Sequence, residues 1–586
     1  MFFRTVKVRS SSGTVHEYVR LVESVRERGQ PRQRVVATLG RRDVLEPLLP
    51  QLVEFLKGPA TAARLFPAAQ GLDPIESSTW GPILVTRALF EELGLGRLLD
   101  TGGARGARAS EPEAFADRVL ALVANRLTAP TSEHGLARWL ETYFVCDRHG
   151  RRFQPRWKTH GRVRVDFAQL QEWYRTLDRL LEQKPRLEEA LYQRLRDLFS
   201  LNPDLVFYDL TSTYFEGRGP DALARHGYSR DGKPRNRQVL VGLVMVNGWP
   251  IAHHVFEGNL RDRTTVPRVL DDLEQRFHFG RLVFVGDRGM RTTKNLALLR
   301  EKHQGYLMGL VRRRRPEVQQ LIDRATGPWI DCPAGVTASE KTNVPRTRVQ
   351  EVLGELPGVR VFVVDSDERR DYERGQREKS MARTRENLEQ LAARVAAGRL
   401  RSPEKVGAAA ARVLARHQGH RYYDWKLAAG RFQFFEHPVR LPQELNYEGK
   451  YLIQTEEKTL TPLEAVASYK ELSEVERGFR HLKDPLGVRP VFHQTGPRTQ
   501  AHIFVAALAF LLDRFIERRL KAAGVPLSST EALQALETVR HVTCRVGEDV
   551  RRGVTPGTSR AQQVLKALGI TERQPPQLAS ALEDRL

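Results

Sequence analysis

The chain has 586 residues, of which 94 are Lys or Arg and 71 are Asp or Glu, so its formal net charge is +23 at pH 7. This length exceeds what one hydrophobic core accommodates and predicts several domains. The longest fully apolar run, residues 503–512, is about half of the roughly 20 residues that cross a bilayer, which argues against a membrane protein.

Two further bulk features narrow the class of protein. The excess of positive charge comes largely from Arg, whose planar guanidinium suits phosphate oxygens, so nucleic acid is the first candidate partner. A general compositional bias toward Arg is the competing explanation. The three cysteines form no pairs, and the N-terminus lacks the apolar segment of a signal peptide. We therefore expect a cytoplasmic protein.

The first 200 residues divide into two predicted regions. Residues 1–45 alternate between polar and apolar positions around two turns and predict a small basic β-meander. Residues 46–200 have a mainly helical pattern, and we expect an N-terminal DNA-binding region there. The segment 149–160 combines basic residues with Trp157 and suits DNA contact and a solvated loop equally well.

The pattern changes to strands in residues 201–311. We predict strands at 206–209, 239–246, 250–256, 281–286 and 306–310, with a helix at 292–302. Three consecutive strands followed by strands that alternate with helices are typical of a ribonuclease-H-like mixed sheet. The predicted fold class is therefore α/β, with residues 201–311 as the first part of a catalytic core.

Residues 312–459 interrupt this core with a predicted β-rich insertion. Strands are predicted at 348–353, 359–364, 432–435 and 450–454, after a run of four Arg at 312–315. A charged helical pair at 368–397 and 403–417 stands between them, so we expect a helical hairpin on a small sheet. Residues 460–520 are then the second part of the core, and residues 521–586 are a tail of short helices.

Two strands of the predicted core lead directly into an acidic residue. Asp209 follows the apolar residues 205–207 and Tyr208, and Asp287 follows the apolar run 282–286. If the two strands are neighbours, the carboxylates lie side by side, where their repulsion calls for a divalent cation. Hard oxygen ligands open to substrate favour Mg²⁺ or Mn²⁺.

A third acid is expected on a helix at 467–486. Its apolar positions recur at spacings of three and four residues and define a buried stripe. Four polar side chains fall along one border of that stripe, namely Tyr469, Glu476, Arg480 and Lys483. Such an edge can face a site on the sheet. An ordinary surface helix with a Glu–Arg pair is the alternative.

These residues resemble the DDE transposases of bacterial insertion sequences. In one branch of that family, the helix of the third acid carries Tyr, Arg, Glu and Lys at fixed spacing. Tyr469, Glu476 and Lys483 match, whereas Leu472 stands where the family has Arg. Several phrases recur in this order in one subgroup: RQRVVATLG at 32–40, YDLTSTYFEG at 208–217, GYSRDGKPR at 227–235, FEGN at 256–259, GDRG at 286–289 and VRPVFH at 488–493.

The resemblance implies a role for each matching residue. Asp209, Asp287 and Glu476 become the catalytic and metal-binding triad, with two Mg²⁺ or Mn²⁺ ions expected and an in-line phosphoryl displacement. Tyr469 and Lys483 become contacts to transposon-end phosphates, and Arg480 is the candidate to replace the Arg that is absent at position 472. We also expect DNA contacts from Arg288, Arg312 and Arg313.

The expected function is metal-dependent cleavage at the ends of an insertion sequence, followed by transfer of the freed 3′-OH into target DNA. The expected partners are double-stranded DNA, at terminal inverted repeats and at the target, and a second copy of the chain on DNA. Two alternatives remain open at this point. One is a nuclease on the same core that hydrolyses without strand transfer, and the other is a DNA-binding derivative without catalysis.

Overall fold

The structure is a computed structural model that describes residues 2–9, 15–27, 30–45, 73–100, 111–155, 157–160, 163–201, 203–310, 316–333, 345–354, 357–546 and 549–576. It divides into two compact units. The first contains Met1–Glu76 and Val542–Arg552, and the second contains Ser77–His541 and Gly553–Leu586. The predicted domain boundaries are finer than this division and remain predictions.

The first unit contains the predicted meander. Strands β1 (Phe2–Arg9), β2 (Val15–Glu27) and β3 (Gln30–Arg41) pair antiparallel in chain order. The pairing of β2 with β3 is irregular near Val19–Val22, where the register shifts. A short helix, α1 (Arg42–Leu45), follows β3. Alternation in the sequence therefore identified these strands correctly.

Helices precede the central sheet of the second unit, as the sequence predicts. The longest begins where the Asp166 side chain accepts a hydrogen bond from the Gln169 N–H, and it ends before Ser200, which adopts a left-handed conformation. This segment contains strand β4 (Asp73–Thr79), helices α2 (Gly81–Glu92), α3 (Leu95–Asp100), α4 (Glu111–Thr128) and α5 (Leu136–Thr142), strands β5 (Lys158–His160) and β6 (Val163–Val165), and the long helix α6 (Phe167–Phe199).

A central sheet contains the predicted catalytic core. Its first five strands lie in the order β9-β8-β7-β10-β11. Their bounds, with the intervening helices, are β7 (Leu205–Tyr214), β8 (Gln238–Val246), β9 (Trp249–Glu257), α7 (Val266–Phe277), β10 (Val283–Gly286), α8 (Thr293–Glu301) and β11 (Gly305–Gly309). Strand β10 pairs parallel with both β7 and β11. Strand β8 pairs antiparallel with β7, and β9 pairs antiparallel with β8. This arrangement confirms the ribonuclease-H-like core.

Four of the described strands in the predicted insertion extend the same sheet, and the other two pair with each other. Strand β17 pairs antiparallel with β11, and β14, β13 and β12 follow outward, giving nine strands in all. The sequence led us to expect a separate small sheet, because it does not show which strands pair. The bounds are α9 (Pro316–Asp323), β12 (Ile330–Asp331), β13 (Thr347–Leu353), β14 (Arg360–Ser366) and β17 (Lys450–Thr455).

The helical hairpin lies between β14 and β17 in the chain. It comprises α10 (Asp367–Ala396), α11 (Pro403–Arg416), a two-stranded sheet of β15 (Tyr423–Ala428) and β16 (Arg431–Glu436), and α12 (Arg440–Tyr447). Both long helices have Ser at the N-cap, Ser366 and Ser402, as expected for stable helix starts. The hairpin buries a hydrophobic cluster of its own, which includes Leu388, Val406 and Phe432.

Two helices complete the core. Helix α13 (Pro462–Lys483) begins at a capping box formed by Thr461 and Glu464, five residues earlier than predicted. Helix α14 (Gly496–Ala522) contains the apolar run, and it is the one described helix long and apolar enough to cross a membrane. Because 83% of its apolar window is buried inside the protein, α14 is a core helix.

The C-terminal residues contain more than the expected short helices. Helices α15 (Ser529–Leu536) and α16 (Ser559–Ala567) flank two strands, β18 (Arg540–Val546) and β19 (Asp549–Val554). These strands pair in the order β19-β18-β4. Strand β4 lies far away in the chain, so the sequence pattern could not reveal this sheet.

Candidate active site

Asp209 and Asp287 occupy neighbouring positions on the central sheet. Strands β7 and β10 are parallel, and their last paired residues are Tyr208 and Gly286, each directly before one of the two acids. Asp287 follows the end of β10, and its Oδ1 accepts a hydrogen bond of 2.6 Å from the Arg288 N–H. Asp209 lies within β7 rather than at its end, because β7 continues to Tyr214. The predicted adjacency is therefore present.

Helix α13 brings Glu476 into the same electrostatic environment. Burial, together with the negative charges of Asp287 and Glu476, raises the pKa of Asp209 to about 7, against the opposing effects of a hydrogen bond from the Leu210 N–H and of the Arg230 charge. Burial and the charge of Asp287 also raise the pKa of Glu476. The three carboxylates are thus close enough to repel one another, as acids that share a cation site do.

The chemistry of these three side chains fits a divalent metal. All are carboxylates, which are hard oxygen ligands, and their mutual repulsion would be relieved by a cation. The ligand atoms of the triad lie farther apart than those of two other groups of acids and histidines among the described residues. In each of those two groups, the ligand atoms all lie within 4.8 Å of one another. Those two groups are Glu133–His493–His502 and His481–Asp513–Glu517.

The compact group around Glu133 is held by hydrogen bonds to protein. His502 is bonded at both ring nitrogens: Nδ1 lies 3.0 Å from the Arg126 guanidinium, and Nε2 lies 3.2 Å from the Val488 carbonyl oxygen. Because Arg126 is always a donor, His502 Nδ1 accepts and Nε2 donates. Both ring nitrogens of His502 are therefore engaged by protein groups.

Tyr469 lies where helix α13 crosses the ends of the core strands. A Cβ atom added to Gly309, the last residue of β11, would stand 3.2 Å from Tyr469 Cζ and closer still to its hydroxyl oxygen. Glycine is thus required at this position for the ring to pack against the strand. Burial and the charge of Asp287 raise the pKa of Tyr469, so its hydroxyl stays protonated beside the acids.

The comparison with family models agrees with this geometry. Residues 203–512 match the model "Transposase DDE domain", which spans the whole central sheet, helix α13 and the first part of α14, and residues 3–64 match "IS1634 family transposase, N-terminal domain". The chain belongs to the DDE transposase family. It is a DNA-binding phosphoryl-transfer enzyme whose family uses divalent metal.

Comparisons with solved structures and with curated proteins provide less information about this chain. Among solved structures, the transposase is similar to a chain in the cryo-EM structure of the piggyBac transposase synaptic complex with hairpin DNA. The identity is 9%, the TM-score is 0.33, and the match covers 80% of this chain and 82% of that chain. No curated protein matches the transposase.

Loop 225–237 is the second part of the connection between β7 and β8. It contributes two charged residues near the acids for which the sequence predicted no role. Arg230 donates from its backbone N–H to Ser212 Oγ on β7 at 2.8 Å, and from its guanidinium to Asp262 Oδ2 at 2.7 Å. Its positive charge also opposes the rise in the pKa of Asp209. Arg230 therefore lies close enough to Asp209 to affect its ionisation. The phrase at 227–235 marked this loop, but nothing in it showed where the loop folds.

The next residue of the loop, Asp231, forms an ion pair with the end of helix α13. Its Oδ1 accepts from Lys483 Nζ at 2.8 Å and from Arg489 Nη1 at 2.6 Å. The side chain of Asp231 is 3% exposed and that of Lys483 is 10% exposed. Burial lowers the pKa of Lys483, and the bond to Asp231 opposes that change. Lys483 is thus largely buried against the transposase's own loop.

The other predicted DNA contacts differ in their surroundings. The side chains of Arg288 and Arg480 are exposed and form no ion pair with a described residue. Leu472, at the position where the family has Arg, is buried in the core. Lys470, on the same helix, donates to Thr347 Oγ1 at 3.0 Å. Arg312 and Arg313, together with the rest of the run at 312–315, lie outside the described residues.

The raised pKa of Asp209 predicts a pH-dependent stability for the metal-free transposase. An Asp in the unfolded chain ionises near 3.8, so between this value and about 7 the folded state binds a proton that the unfolded state lacks. The free energy of unfolding therefore falls as the pH rises through this range, and the full penalty remains above it. Asp209→Asn removes the penalty. In EDTA, we expect its melting temperature to exceed that of the wild type by more at pH 8 than at pH 5.

Added Mg²⁺ should narrow the gap at pH 8, because the ion favours the ionised form of Asp209 and has a weaker site in the variant. A constant difference in melting temperature between pH 5 and pH 8 would contradict the assignment of a raised pKa to Asp209.

Proposed function

We propose that this transposase cleaves DNA at the terminal inverted repeats of an insertion sequence and transfers the freed 3′-OH into target DNA. The observation that supports this most directly is that Asp209 and Asp287, on neighbouring strands of a sheet with ribonuclease-H order, are electrostatically coupled to Glu476 on helix α13. Strand transfer and hydrolysis share one phosphoryl-displacement geometry, so a single acidic site can serve both reactions.

Asp209, Asp287 and Glu476 would hold the divalent ions, which we propose to be two Mg²⁺ or Mn²⁺. Bound there, such ions supply a Lewis acid for the phosphoryl group and lower the pKa of the attacking hydroxyl. Asp209 would take part in its ionised form, and its pKa of about 7 in the metal-free protein disfavours that form below neutral pH. The Tyr469 hydroxyl, beside Asp287, remains a hydrogen-bond donor throughout.

Different cations would hold the DNA and the protein loop. Arg288 follows Asp287 directly and Arg480 is one helical turn beyond Glu476, so both exposed guanidinium groups flank the acids and suit phosphate oxygens. We assign Tyr469 to the same phosphates. Lys483 matches the position of the family's phosphate contact. Its buried bond to Asp231 supports a different main role, which is to anchor loop 225–237.

Because the two ends of an element must be held together for transfer, we propose that the transposase acts as a homodimer on DNA, in the bacterial cytoplasm and on the nucleoid. The net charge of +23 supports such an environment, since it favours binding to a polyanion.

The test is incubation of the purified transposase with duplexes that carry the flanking ends of its own element, a target plasmid and Mg²⁺. We expect a nick that exposes a 3′-OH at the element end, followed by joined products. Cleavage and joining are scored separately on a sequencing gel. Cleavage without joining would show a nuclease without strand transfer, and EDTA should abolish both signals.

A further inference from the structure

The helical hairpin contains an open groove that the catalytic reaction does not use. It runs along the first half of α10 and past the turn that follows α11. Its lining includes five Lys or Arg side chains and two carboxylates. The groove is therefore positively charged, which would repel a cation and attract an anion.

Both carboxylates of the groove are already bonded to protein groups. Glu448 accepts from Arg377 Nε at 2.7 Å, and Glu373 accepts from the Gly449 N–H at 2.9 Å. Arg421, another lining cation, pairs with Glu444, whose Oε1 lies 2.9 Å from Arg421 Nε. The carboxylates therefore cannot neutralise the remaining cations.

Three lining cations are left without an ion pair to a described residue, and all three are exposed: Lys379, Arg383 and Arg416. Other Arg residues of α10 do have acidic partners, for example Arg369 with Glu373 and Arg385 with Glu436. Unpaired cations that face one another across a groove repel. An arrangement of this kind is stabilised when an anion enters.

An exposed aromatic ring stands beside these cations. Tyr372 is 68% exposed and lines the groove. It lies on the face of α10 that also carries Lys379, seven residues later, and Arg383, four residues after Lys379. Cations with an adjacent exposed aromatic ring suit a nucleic-acid strand, in which phosphates alternate with sugars and bases. A small anion such as inorganic phosphate would leave this ring without a contact.

We propose that this hairpin groove, defined by Lys379, Arg383 and Arg416, is a second DNA-binding site that holds the phosphodiester backbone. The proposal rests on the proposed function to the extent that it takes DNA, rather than RNA, as the nucleic acid. The groove adds affinity without supplying a catalytic group.

The experiment compares two matched triple variants of the full chain. The first, Lys379→Ala/Arg383→Ala/Arg416→Ala, removes the groove cations. The second, Lys405→Ala/Lys426→Ala/Arg431→Ala, removes three exposed cations of the same hairpin that do not line the groove. Affinity for a duplex is measured by fluorescence anisotropy between roughly 50 and 200 mM salt. Melting temperatures show that both variants are folded.

We expect the slope of log K against log salt concentration to become less steep by about 2.7 in the groove variant, because each lost phosphate contact removes about 0.9. In the control variant, the slope should change by less than the value of about 0.9 that corresponds to one phosphate contact. Equal slopes in the two variants, or an unchanged slope in the groove variant, would overturn the proposal. The proposal would also be overturned if the groove variant lost affinity only for an RNA of the same sequence and not for the DNA duplex.

The assay also separates this proposal from the proposed function. If the wild-type chain fails to cleave or join element ends, the transposition proposal fails, whereas the difference between the two slopes still decides whether the groove binds DNA.

Discussion

Asp287→Asn is expected to lower Mg²⁺-dependent cleavage by about 10³-fold or more, because loss of a metal-binding carboxylate forfeits several kcal/mol of transition-state stabilisation. The fold should persist, since the Asn side chain keeps an oxygen that can accept the bond from the Arg288 N–H, 2.6 Å long in the wild type. The measurement is the rate of strand cleavage with a labelled element end, together with the dissociation constant of the same DNA.

Asp271→Asn is the matched control for this experiment. Asp271 is an exposed carboxylate whose Oδ1 lies 2.9 Å from Lys302 Nζ, so the variant loses the same charge outside the triad. Both variants should bind DNA at least as tightly as the wild type, because each removes a negative charge. Near-normal cleavage by Asp287→Asn would remove Asp287 from the catalytic triad.

Asp231→Asn should cost about 2–3 kcal/mol of stability and slow cleavage about tenfold or more, because it leaves the largely buried Lys483 without a counter-charge and removes one of the two acidic partners of Arg489. Loosening of Asp231 also frees Arg230, the preceding residue, which is bonded to Ser212 and Asp262. DNA affinity should not fall. The measurements are thermal unfolding, cleavage rate at saturating DNA, and the dissociation constant.

The same ion pair decides what Lys483 does. If Lys483 mainly anchors the loop, the double variant Asp231→Asn/Lys483→Met should be less destabilised than the sum of the single variants. The salt dependence of DNA binding by Lys483→Met should then match that of Lys470→Met, a control on the same helix. A slope less steep by about 0.9 in Lys483→Met alone would instead identify Lys483 as a phosphate contact.

The sequence was sufficient to predict the ribonuclease-H-like core for a physical reason. Buried strands of such a core are short apolar runs, and two of them lead directly into Asp209 and Asp287. The 3.6-residue period of α13 likewise placed Leu472 and Phe479 in the core, where both are buried. These features are local, so they can be read without knowledge of the fold.

Features that depend on contacts distant in the chain could not be predicted. Arg230 and Asp231 are adjacent in a polar loop, yet one bonds to Asp262 and the other to Lys483. Their opposite charges and separate partners emerge only when the loop is folded. The pairing of β17 with β11 is non-local too, which is why the insertion strands were assigned to a sheet of their own.

The position of the hairpin between β14 and β17 has a consequence for how this protein could be shortened. Those strands are antiparallel neighbours, and Asp365 lies directly opposite Lys450. The chain therefore leaves the sheet and returns to it at adjacent points, a distance that a tight turn of two residues can bridge. Segment 367–449 is in this sense an insertion at one β-turn position, so its removal or exchange would leave the order of the strands that carry Asp209 and Asp287 unchanged.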